Sequence, residues 1–311
     1  MNRKVLTMAA VGGLLGLLAS ACAQGGGGSG TISLVTNPWD ASALNSLIAK
    51  EVIEANTDTT VEITEIDENT MFTGLSDGTL DAVLEIWPSG VVAAEQAYID
   101  DGSVVNIGEL GVIGKIGWFM PKYMVDEHPE LATYEGFQDP ALASLFATPD
   151  TGDNGRFLGG DSSWSQYDEQ IITNLAMPMQ VVFAGSEEAI LADLDTKYEN
   201  QEPTVFYFWT PHSAFAKYDL VNVTLPDYTA DCYADPAAID CDYPEDVLFK
   251  AAWSGLQEEA PDAYTILSNM KLTNDDQIEM LGAVAFDGKT LEQAASDWVA
   301  ANQSVVDSWL P

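Results

Sequence analysis

Stretches typical of β-strands alternate with stretches typical of α-helices along most of this chain. Residues 32–36 and 61–63 are rich in β-branched side chains, and between them Leu44, Leu47 and Ile48 recur at helical spacing. The alternation continues with strands predicted at 82–87, 113–120, 180–184 and 205–209, and with helices predicted at 71–75, from about 163 to 175, and at 187–198. Because helices commonly connect parallel strands, this order predicts an α/β protein with parallel-rich sheets flanked by helices.

The alternation is interrupted near residues 113–122, which predicts two lobes with a cleft between them. We assign residues 31–116 and 220–311 to lobe 1 and residues 117–219 to lobe 2. Beyond Tyr243 the apolar spacing predicts mainly helices, which return to cover lobe 1. These helices are predicted at 247–256, 264–270, 275–285 and 291–309.

The first 21 residues have the pattern of an export signal. Arg3 and Lys4 precede an apolar stretch that is too short to span a bilayer comfortably. The sequence Leu18-Ala19-Ser20-Ala21-Cys22 then resembles a bacterial lipobox and predicts that Cys22 is lipidated and anchored to the outer face of the membrane. An ordinary secretory peptide is the alternative. Residues 22–30, which contain GGGGSG, are predicted to form a flexible tether.

The chain is strongly acidic, with 49 acidic residues, 11 basic residues and a net charge of −38. Nucleic acids and anionic membrane surfaces are therefore not expected as partners. The acids are scattered, and those at Glu62, Glu65, Asp67 and Glu68 are interpreted as part of a solvated surface.

The remaining two cysteines, Cys232 and Cys241, lie in a polar segment of an exported chain. They are predicted to form a disulfide that closes a small loop, because exported proteins are folded in an oxidising compartment.

The chain lacks the motifs expected of an enzyme. It has two histidines, no nucleophile-elbow motif, no metal-ligand spacing and no glycine-rich phosphate loop. No catalytic residue, cofactor or metal is predicted. A binding protein and a structural surface lipoprotein are the classes that remain.

Four of the eight tryptophans occur where loops leave strands: Trp39, Trp87, Trp164 and Trp209. Repeated indole faces at such positions predict a cage for a quaternary ammonium group, which has no N–H to donate and is recognised by aromatic faces. Three other tryptophans lie on predicted helical stripes and are interpreted as packing residues: Trp253, Trp298 and Trp309.

A carboxylate on the same ligand would need hydrogen-bond donors. Backbone N–H groups at the start of the helix after Trp39 could supply them, and the side chains of Ser163 and His212 are further candidates. His212 could equally make a structural hydrogen bond. Asp40 is most simply a helix cap, although its carboxylate could accept a hydrogen bond from a choline hydroxyl.

Three motifs in order resemble those of the glycine betaine, choline and carnitine-binding proteins of ABC importers. They are Asp77-Gly78-Thr79-Leu80-Asp81 followed by Glu85-Ile86-Trp87-Pro88; Gly117-Trp118-Phe119-Met120-Pro121-Lys122-Tyr123 followed by Asp126-Glu127-His128-Pro129; and Trp209-Thr210-Pro211-His212 followed by Ala216-Lys217-Tyr218-Asp219-Leu220. The resemblance covers nearly the whole chain after the leader. It implies the two-lobed periplasmic-binding-protein fold, type II-like, with the ligand in the cleft.

In this family, aromatic side chains from both lobes surround the trimethylammonium head. By position, the resemblance implies that role for Trp87 and Trp209, next for Trp39, and then for Trp164 or Trp118. Core packing is the alternative for Trp118. Phe72, in the short helix after the second strand, is a weaker candidate.

The resulting prediction is an extracytoplasmic, monomeric, substrate-binding lipoprotein that delivers its ligand to a membrane permease. Glycine betaine is the preferred ligand, because His212 places a donor close to a cage tryptophan. Choline, carnitine and a sulfonium analogue are the alternatives.

Overall fold

A computed structural model describes residues 30–311. The predicted leader, Cys22 and all of the predicted tether except its last residue lie outside the described residues.

Nine strands form one continuous sheet in this part of the chain. They are β1 (Thr31–Thr36), β2 (Thr60–Glu65), β3 (Ala82–Ile86), β4 (Val104–Pro121), β5 (Gly155–Gly159), β6 (Met179–Phe183), β7 (Phe206–Thr210), β8 (Leu220–Asn222) and β9 (Glu245–Trp253). The strand order is β2-β1-β3-β9-β4-β7-β5-β6, and β8 pairs with β4 outside this path. Strands β1, β2 and β3 are parallel to one another, as are β5, β6 and β7, whereas β4 and β9 run antiparallel to their neighbours.

The helices between residues 30 and 311 flank this sheet. They are α1 (Asp40–Asn56), α2 (Glu68–Asp77), α3 (Ala93–Asp100), α4 (Lys122–Glu127), α5 (Tyr134–Gln138), α6 (Pro140–Ala143), α7 (Asp168–Asn174), α8 (Glu187–Asn200), α9 (Ala214–Lys217), α10 (Leu256–Glu259), α11 (Pro261–Asn269), α12 (Asn274–Asp287), α13 (Leu291–Ala301) and α14 (Gln303–Asp307). Helices α11, α12 and α13 pack against α1, so the helical C-terminal region covers lobe 1 as predicted. No helix in the described region is long and apolar enough to cross a membrane.

The predicted α/β class is confirmed, but one element was predicted incorrectly. Residues 247–256 were predicted as helix, whereas β9 occupies Glu245–Trp253 and pairs with both β3 and β4. The side chain of Lys250 lies on the buried side of β9, where its Nζ donates hydrogen bonds to carbonyl oxygens of Leu267 and Ser268 at the end of α11. A charged residue among the buried positions conceals the two-residue period of this strand.

The long strand β4 contributes to the two largest apolar cores, to one through its first half and to the other through its second half. The first, in lobe 1, includes Leu44 and Trp298, and the second, in lobe 2, includes Trp118 and Phe157. The sequence assigned everything after residue 219 to lobe 1. Residues between 220 and 243 pack with the second core instead, so the chain returns to lobe 1 at β9. Those in the second core are Val223, Leu225, Ile239 and Tyr243.

The disulfide between Cys232 and Cys241 is present. The two cysteines are nine positions apart in sequence, so the disulfide closes a small loop within the segment that returns from lobe 2.

Candidate functional site

A cavity lies where the two lobes meet, with a volume of about 390 Å³ when the open space at its mouth is counted. Trp39 and Trp87 pack against both apolar cores, which places this cavity between them. Its walls are formed by Trp39, Glu68, Trp87, Gly90, Ile116, Trp164, Ser165, Tyr207 and Trp209. Five of these nine residues are aromatic, and none carries a positive charge.

Lobe 2 contributes three rings. The centroid of Trp164 is 5.6 Å from that of Trp209, with the two planes at 81°, and it is 6.2 Å from that of Tyr207. Tyr207 and Trp209 are two residues apart in β7, so their side chains project from the same face of the strand. All three are at least 93% buried.

Lobe 1 contributes Trp39, which immediately precedes α1, and Trp87, which follows β3. Trp39 meets Trp164 across the cleft at a centroid distance of 5.9 Å and an interplanar angle of 85°. Trp39 and Trp209 are therefore both nearly perpendicular to Trp164. Adjacent perpendicular faces of this kind form a box that can surround a compact cation.

Two glycines allow the tryptophans to sit against the backbone. A Cβ added at Gly114 would lie 2.3 Å from Cζ3 of Trp87, and one added at Gly160 would lie 2.4 Å from Cε3 of Trp164. Any side chain at either position would displace a wall of the cavity, so the close approach requires glycine.

Glu85 holds the two lobe 1 tryptophans in place. Its Oε1 accepts hydrogen bonds from the indole N–H of Trp39 at 2.8 Å and of Trp87 at 3.1 Å. Its Oε2 accepts from the side-chain amides of Asn45 at 2.6 Å and Gln277 at 3.3 Å. Glu85 is 1% exposed; burial raises its pKa, and the four hydrogen bonds oppose that rise.

Glu68 is a cavity residue that the sequence analysis missed, because it was interpreted as part of a solvated surface. It opens α2, lines the cavity, and accepts a hydrogen bond of 2.5 Å from the backbone N–H of Ser165 in the opposite lobe. Burial raises the pKa of Glu68 to about 7, with further contributions from the negative charges of Asp67 and Glu95.

The indole N–H of Trp164 is buried and has no hydrogen-bond partner. Its six-membered ring faces Gly160 through Cε3 and Cζ3, so Nε1 lies on the opposite edge of the ring. A buried donor without a partner is unfavourable by roughly 1–3 kcal/mol, which a ligand oxygen at this edge would offset.

Trp118 does not line the cavity. It is fully buried in the second core, where it packs against Phe157 at 4.4 Å and donates a hydrogen bond of 2.6 Å to Asp168. Trp118 therefore occupies a core-packing position, which was the alternative to a cage position for this residue.

His212 also lies outside the cavity wall. Its Nδ1 accepts a hydrogen bond from the backbone N–H of Ala214 at 3.0 Å, so its proton is on Nε2, which donates to Glu187 at 2.8 Å. The ring packs against Trp209 at 5.6 Å. With both nitrogens engaged, His212 positions a cavity tryptophan and has no N–H available for a ligand carboxylate.

One backbone N–H at the N-terminus of α1 is likewise engaged. The second oxygen of Glu187 accepts the backbone N–H of Asp40 at 3.1 Å, so a protein carboxylate takes the position expected for a ligand carboxylate. The helix begins at Asp40 itself, after Trp39, and no side chain caps it. Burial, followed by the nearby charges of Glu187 and Glu188, raises the pKa of Asp40 to about 6, and Asp40 does not line the cavity.

Two further candidates lie nearby without entering the cavity wall. Ser163 is exposed, and its backbone carbonyl accepts a hydrogen bond from Asn69 across the cleft. The cavity residue of this segment is Ser165. Phe72 lines a smaller adjoining cavity with an empty volume of about 230 Å³, which it shares with Glu68 and Glu85.

Tyr207 could have been found from the sequence, because it is two residues before Trp209 in a predicted strand. Glu68 and Glu85 had no such signal, since 49 acids are scattered through the chain. Among the described residues, no group of three or more His, Cys, Asp or Glu side chains could hold a metal ion.

Two α/β lobes with an aromatic cavity between them define a substrate-binding protein of the periplasmic type. Residues 30–301 match the model of the family described as the substrate binding domain of ABC-type glycine betaine transport systems, and the chain belongs to this family. It is therefore a substrate-binding protein of a betaine-type ABC importer and not a structural surface lipoprotein.

Two individual relatives have low sequence identity to this chain. The chain is 26% identical over 289 residues to the trimethylamine N-oxide-binding protein of Pelagibacter ubique, covering 90% of each chain. It is 23% identical over 309 residues to the glycine betaine/proline betaine-binding periplasmic protein of Escherichia coli, covering 90% of this chain and 89% of that one.

The fold is also that of solved binding proteins. An ABC-transporter choline-binding protein in complex with choline has a TM-score of 0.72 at 19% identity, with 90% of this chain and 91% of that chain covered. Lactococcal OpuAC, closed around glycine betaine, has a TM-score of 0.70 at 20% identity, with 90% and 99% covered. At these identities the likeness establishes the fold alone.

Proposed function

We propose that this protein captures a trimethylammonium compound in the cavity between its lobes and presents the complex to the permease of an ABC importer. The observation that supports this most directly is the composition of the cavity wall, with five aromatic rings, one carboxyl group and no cation. An aromatic face contributes roughly 0.5–2 kcal/mol to the binding of such a head. Several faces together with burial of the methyl groups reach the roughly −8 kcal/mol that micromolar affinity requires.

The polar end of the ligand is proposed to be a single oxygen and not a carboxylate. The sequence favours glycine betaine because of His212, but Glu187 engages that ring and the backbone N–H of Asp40 at the start of α1. The cavity-wall groups that remain for a ligand oxygen are the indole N–H groups of Trp164 and Trp209, the hydroxyls of Ser165 and Tyr207, and the carboxyl of Glu68. The negative charge of ionised Glu68 disfavours a ligand carboxylate beside it, which favours choline or trimethylamine N-oxide over glycine betaine and carnitine.

Glu68 can serve either ligand because its pKa is about 7. When ionised, it balances the charge of choline and accepts a hydrogen bond from the choline hydroxyl. When protonated, it donates to the oxygen of trimethylamine N-oxide, the ligand named for the Pelagibacter relative. The ionised form of Glu68 would repel the carboxylate of a betaine.

The site of action is proposed to be the outer face of the cell membrane. The basic pair Arg3 and Lys4, the short apolar stretch and the lipobox-like residues before Cys22 support export and lipid attachment. The Escherichia coli relative is named as a periplasmic protein. We propose that the protein acts as a monomer.

The test is a titration of the purified protein with choline, trimethylamine N-oxide, glycine betaine and carnitine. Binding is measured by calorimetry and by tryptophan fluorescence. Glycine and ethanolamine, which bring N–H groups, serve as unmethylated controls. We expect micromolar or tighter binding of at least one trimethylated ligand and at least 100-fold weaker binding of the controls.

Two matched substitutions locate the binding. Trp209→Ala is expected to weaken binding by roughly 2 kcal/mol or more, the scale of a buried aromatic anchor. Trp309→Ala removes a tryptophan stacked on Trp298 at 5.9 Å within the lobe 1 core and should lower stability with little change in affinity. Equal affinity for methylated and unmethylated amines, or equal effects of both substitutions on affinity, would refute the proposal.

A further inference from the structure

Glu85 is a buried anion with no cation beside it. Its side chain is 1% exposed, and no Lys, Arg or His side chain in the described region forms an ion pair with it. Removing a carboxylate from water is strongly unfavourable unless hydrogen bonds or an opposite charge compensate.

Glu85 is the acceptor in all four of its hydrogen bonds. Each of the four contacting atoms is an N–H nitrogen: Nε1 of Trp39, Nε1 of Trp87, Nδ2 of Asn45 and Nε2 of Gln277. A protonated carboxyl group would direct its own O–H towards one of these donors. The arrangement therefore fits the ionised carboxylate.

Two of these donors belong to walls of the cavity. Trp39 and Trp87 offer their N–H edges to the same oxygen, Oε1, while both residues line the space between the lobes. A carboxylate that accepts an indole N–H increases the electron density of the ring. It therefore strengthens the attraction between the ring face and a cation.

The geometry of the strand explains how one carboxylate reaches both rings. Glu85 and Trp87 are two residues apart at the end of β3, so they project to the same side. Asn45 lies on α1, which begins directly after Trp39, and Gln277 lies on α12. Glu85 thus joins three elements of lobe 1 behind the cavity.

We infer that Glu85 is a specificity-determining residue that selects a cationic head over an uncharged head of the same shape. It fixes the orientation of Trp39 and Trp87, and it supplies a buried negative charge behind their faces. No protein side chain supplies an opposite charge to Glu85. The cationic head of the ligand supplies it, from the other side of the two indoles. This inference rests on the proposed function, because it assumes that a trimethylammonium group enters the cavity.

The test compares each ligand that has a cationic head with an isostere of uncharged head, in which carbon replaces nitrogen. The pairs are choline with 3,3-dimethylbutan-1-ol and glycine betaine with 3,3-dimethylbutanoate. For each pair, the ratio of dissociation constants is measured by calorimetry or by competition in the wild type, Glu85→Gln and Glu85→Asp.

Glu85→Gln is expected to reduce the preference for the cationic ligand at least tenfold, because it removes the charge with little change in shape. Glu85→Asp retains the charge, so it should weaken both members of a pair while keeping most of the preference. A purely structural role would weaken both members equally. An unchanged ratio in Glu85→Gln would therefore overturn the inference.

A second substitution keeps the inference testable if Glu85→Gln does not fold, as judged by circular dichroism. Trp39→Phe keeps an aromatic face but removes one of the two indole bonds to Oε1, and it should reduce the preference about threefold or more. Trp309→Phe, in the lobe 1 core, is the matched control and should leave the preference unchanged. An unchanged ratio in Trp39→Phe would overturn the inference.

The two proposals fail in different ways. If the wild type binds no trimethylammonium compound, the proposed function is wrong. If the wild type binds one tightly but either Glu85→Gln or Trp39→Phe keeps the full preference for its charged head, only the role of Glu85 is wrong.

Discussion

At the scale of single residues, two carboxyl groups at the cavity differ in position and in hydrogen bonding. Glu85 lies behind the tryptophans and is surrounded by donors, whereas Glu68 faces the cavity and has one hydrogen bond, from Ser165. Burial raises the pKa of Glu68 to about 7, so this group changes its charge within the physiological pH range. Ligand binding is therefore expected to depend on pH through this residue.

The direction of that dependence differs between ligands. Choline affinity should rise as the pH increases from 6 to 8, because ionised Glu68 stabilises the cation. Trimethylamine N-oxide affinity should fall over the same range, because the ligand loses the proton that Glu68 donates. Each change is expected to be about tenfold, as measured by calorimetry.

Substitutions assign this pH dependence to one group. Glu68→Gln should flatten both profiles, whereas Glu65→Gln, at an exposed position at the end of β2, should leave them unchanged. Flat profiles in the wild type would contradict the role of Glu68.

At the scale of elements, the strands set the cavity walls through their ends and their glycines. β3 ends before Trp87, β7 carries Tyr207 and Trp209, and Gly114 in the middle of β4 receives the ring of Trp87. The position of a cavity-wall tryptophan thus depends on a glycine of another strand that does not itself line the cavity.

Gly114→Ala is expected to weaken ligand binding about tenfold, or roughly 1.4 kcal/mol, because the new methyl group displaces Trp87. Gly282→Ala, on α12, is the matched control, since a Cβ there would lie 3.8 Å from its nearest neighbour, Phe286. Affinity and melting temperature are measured for both variants. Wild-type affinity in Gly114→Ala would contradict the close approach of Trp87 to β4.

At the scale of the whole molecule, buried carboxyl groups make stability depend on pH. Burial raises the pKa of Asp168 to about 7, although Trp118 and Tyr243 donate hydrogen bonds to it, and its Oδ2 has no partner. Between about pH 4 and pH 7 the folded state therefore binds protons that the unfolded state releases. Under this linkage, stability is greatest at the lower end of the range and is lost as the pH rises towards 7.

The free energy of unfolding is accordingly expected to fall from pH 5 to pH 7.5, with Asp168 contributing on the order of 3 kcal/mol. Asp168→Asn, which imitates the protonated group, should reduce this slope. Asp58→Asn, at an exposed position, should not. Urea unfolding at both pH values measures the difference, and equal slopes in the wild type and Asp168→Asn would contradict the prediction.

The sequence alone determined the α/β class, the helical cover over lobe 1, the disulfide and four of the five aromatic walls of the cavity. These features could be predicted because they depend on local periodicity, on residue type and on the positions where strands end. Trp39, Trp87, Trp164 and Trp209 are large apolar residues at such ends, and a folded chain of this class brings strand ends together.

Only the tertiary structure decided the position of β9, the chain's return to lobe 1 at residue 245, and the chemistry of the charged and polar side chains. Lys250 is buried because a helix end distant in sequence supplies carbonyl groups to it. Likewise, His212 is occupied by Glu187, and Glu68 and Glu85 differ from the other acids only through the groups that fold against them. The charge, pKa and role of such groups depend on neighbours distant in sequence, and sequence periodicity carries no information about those neighbours.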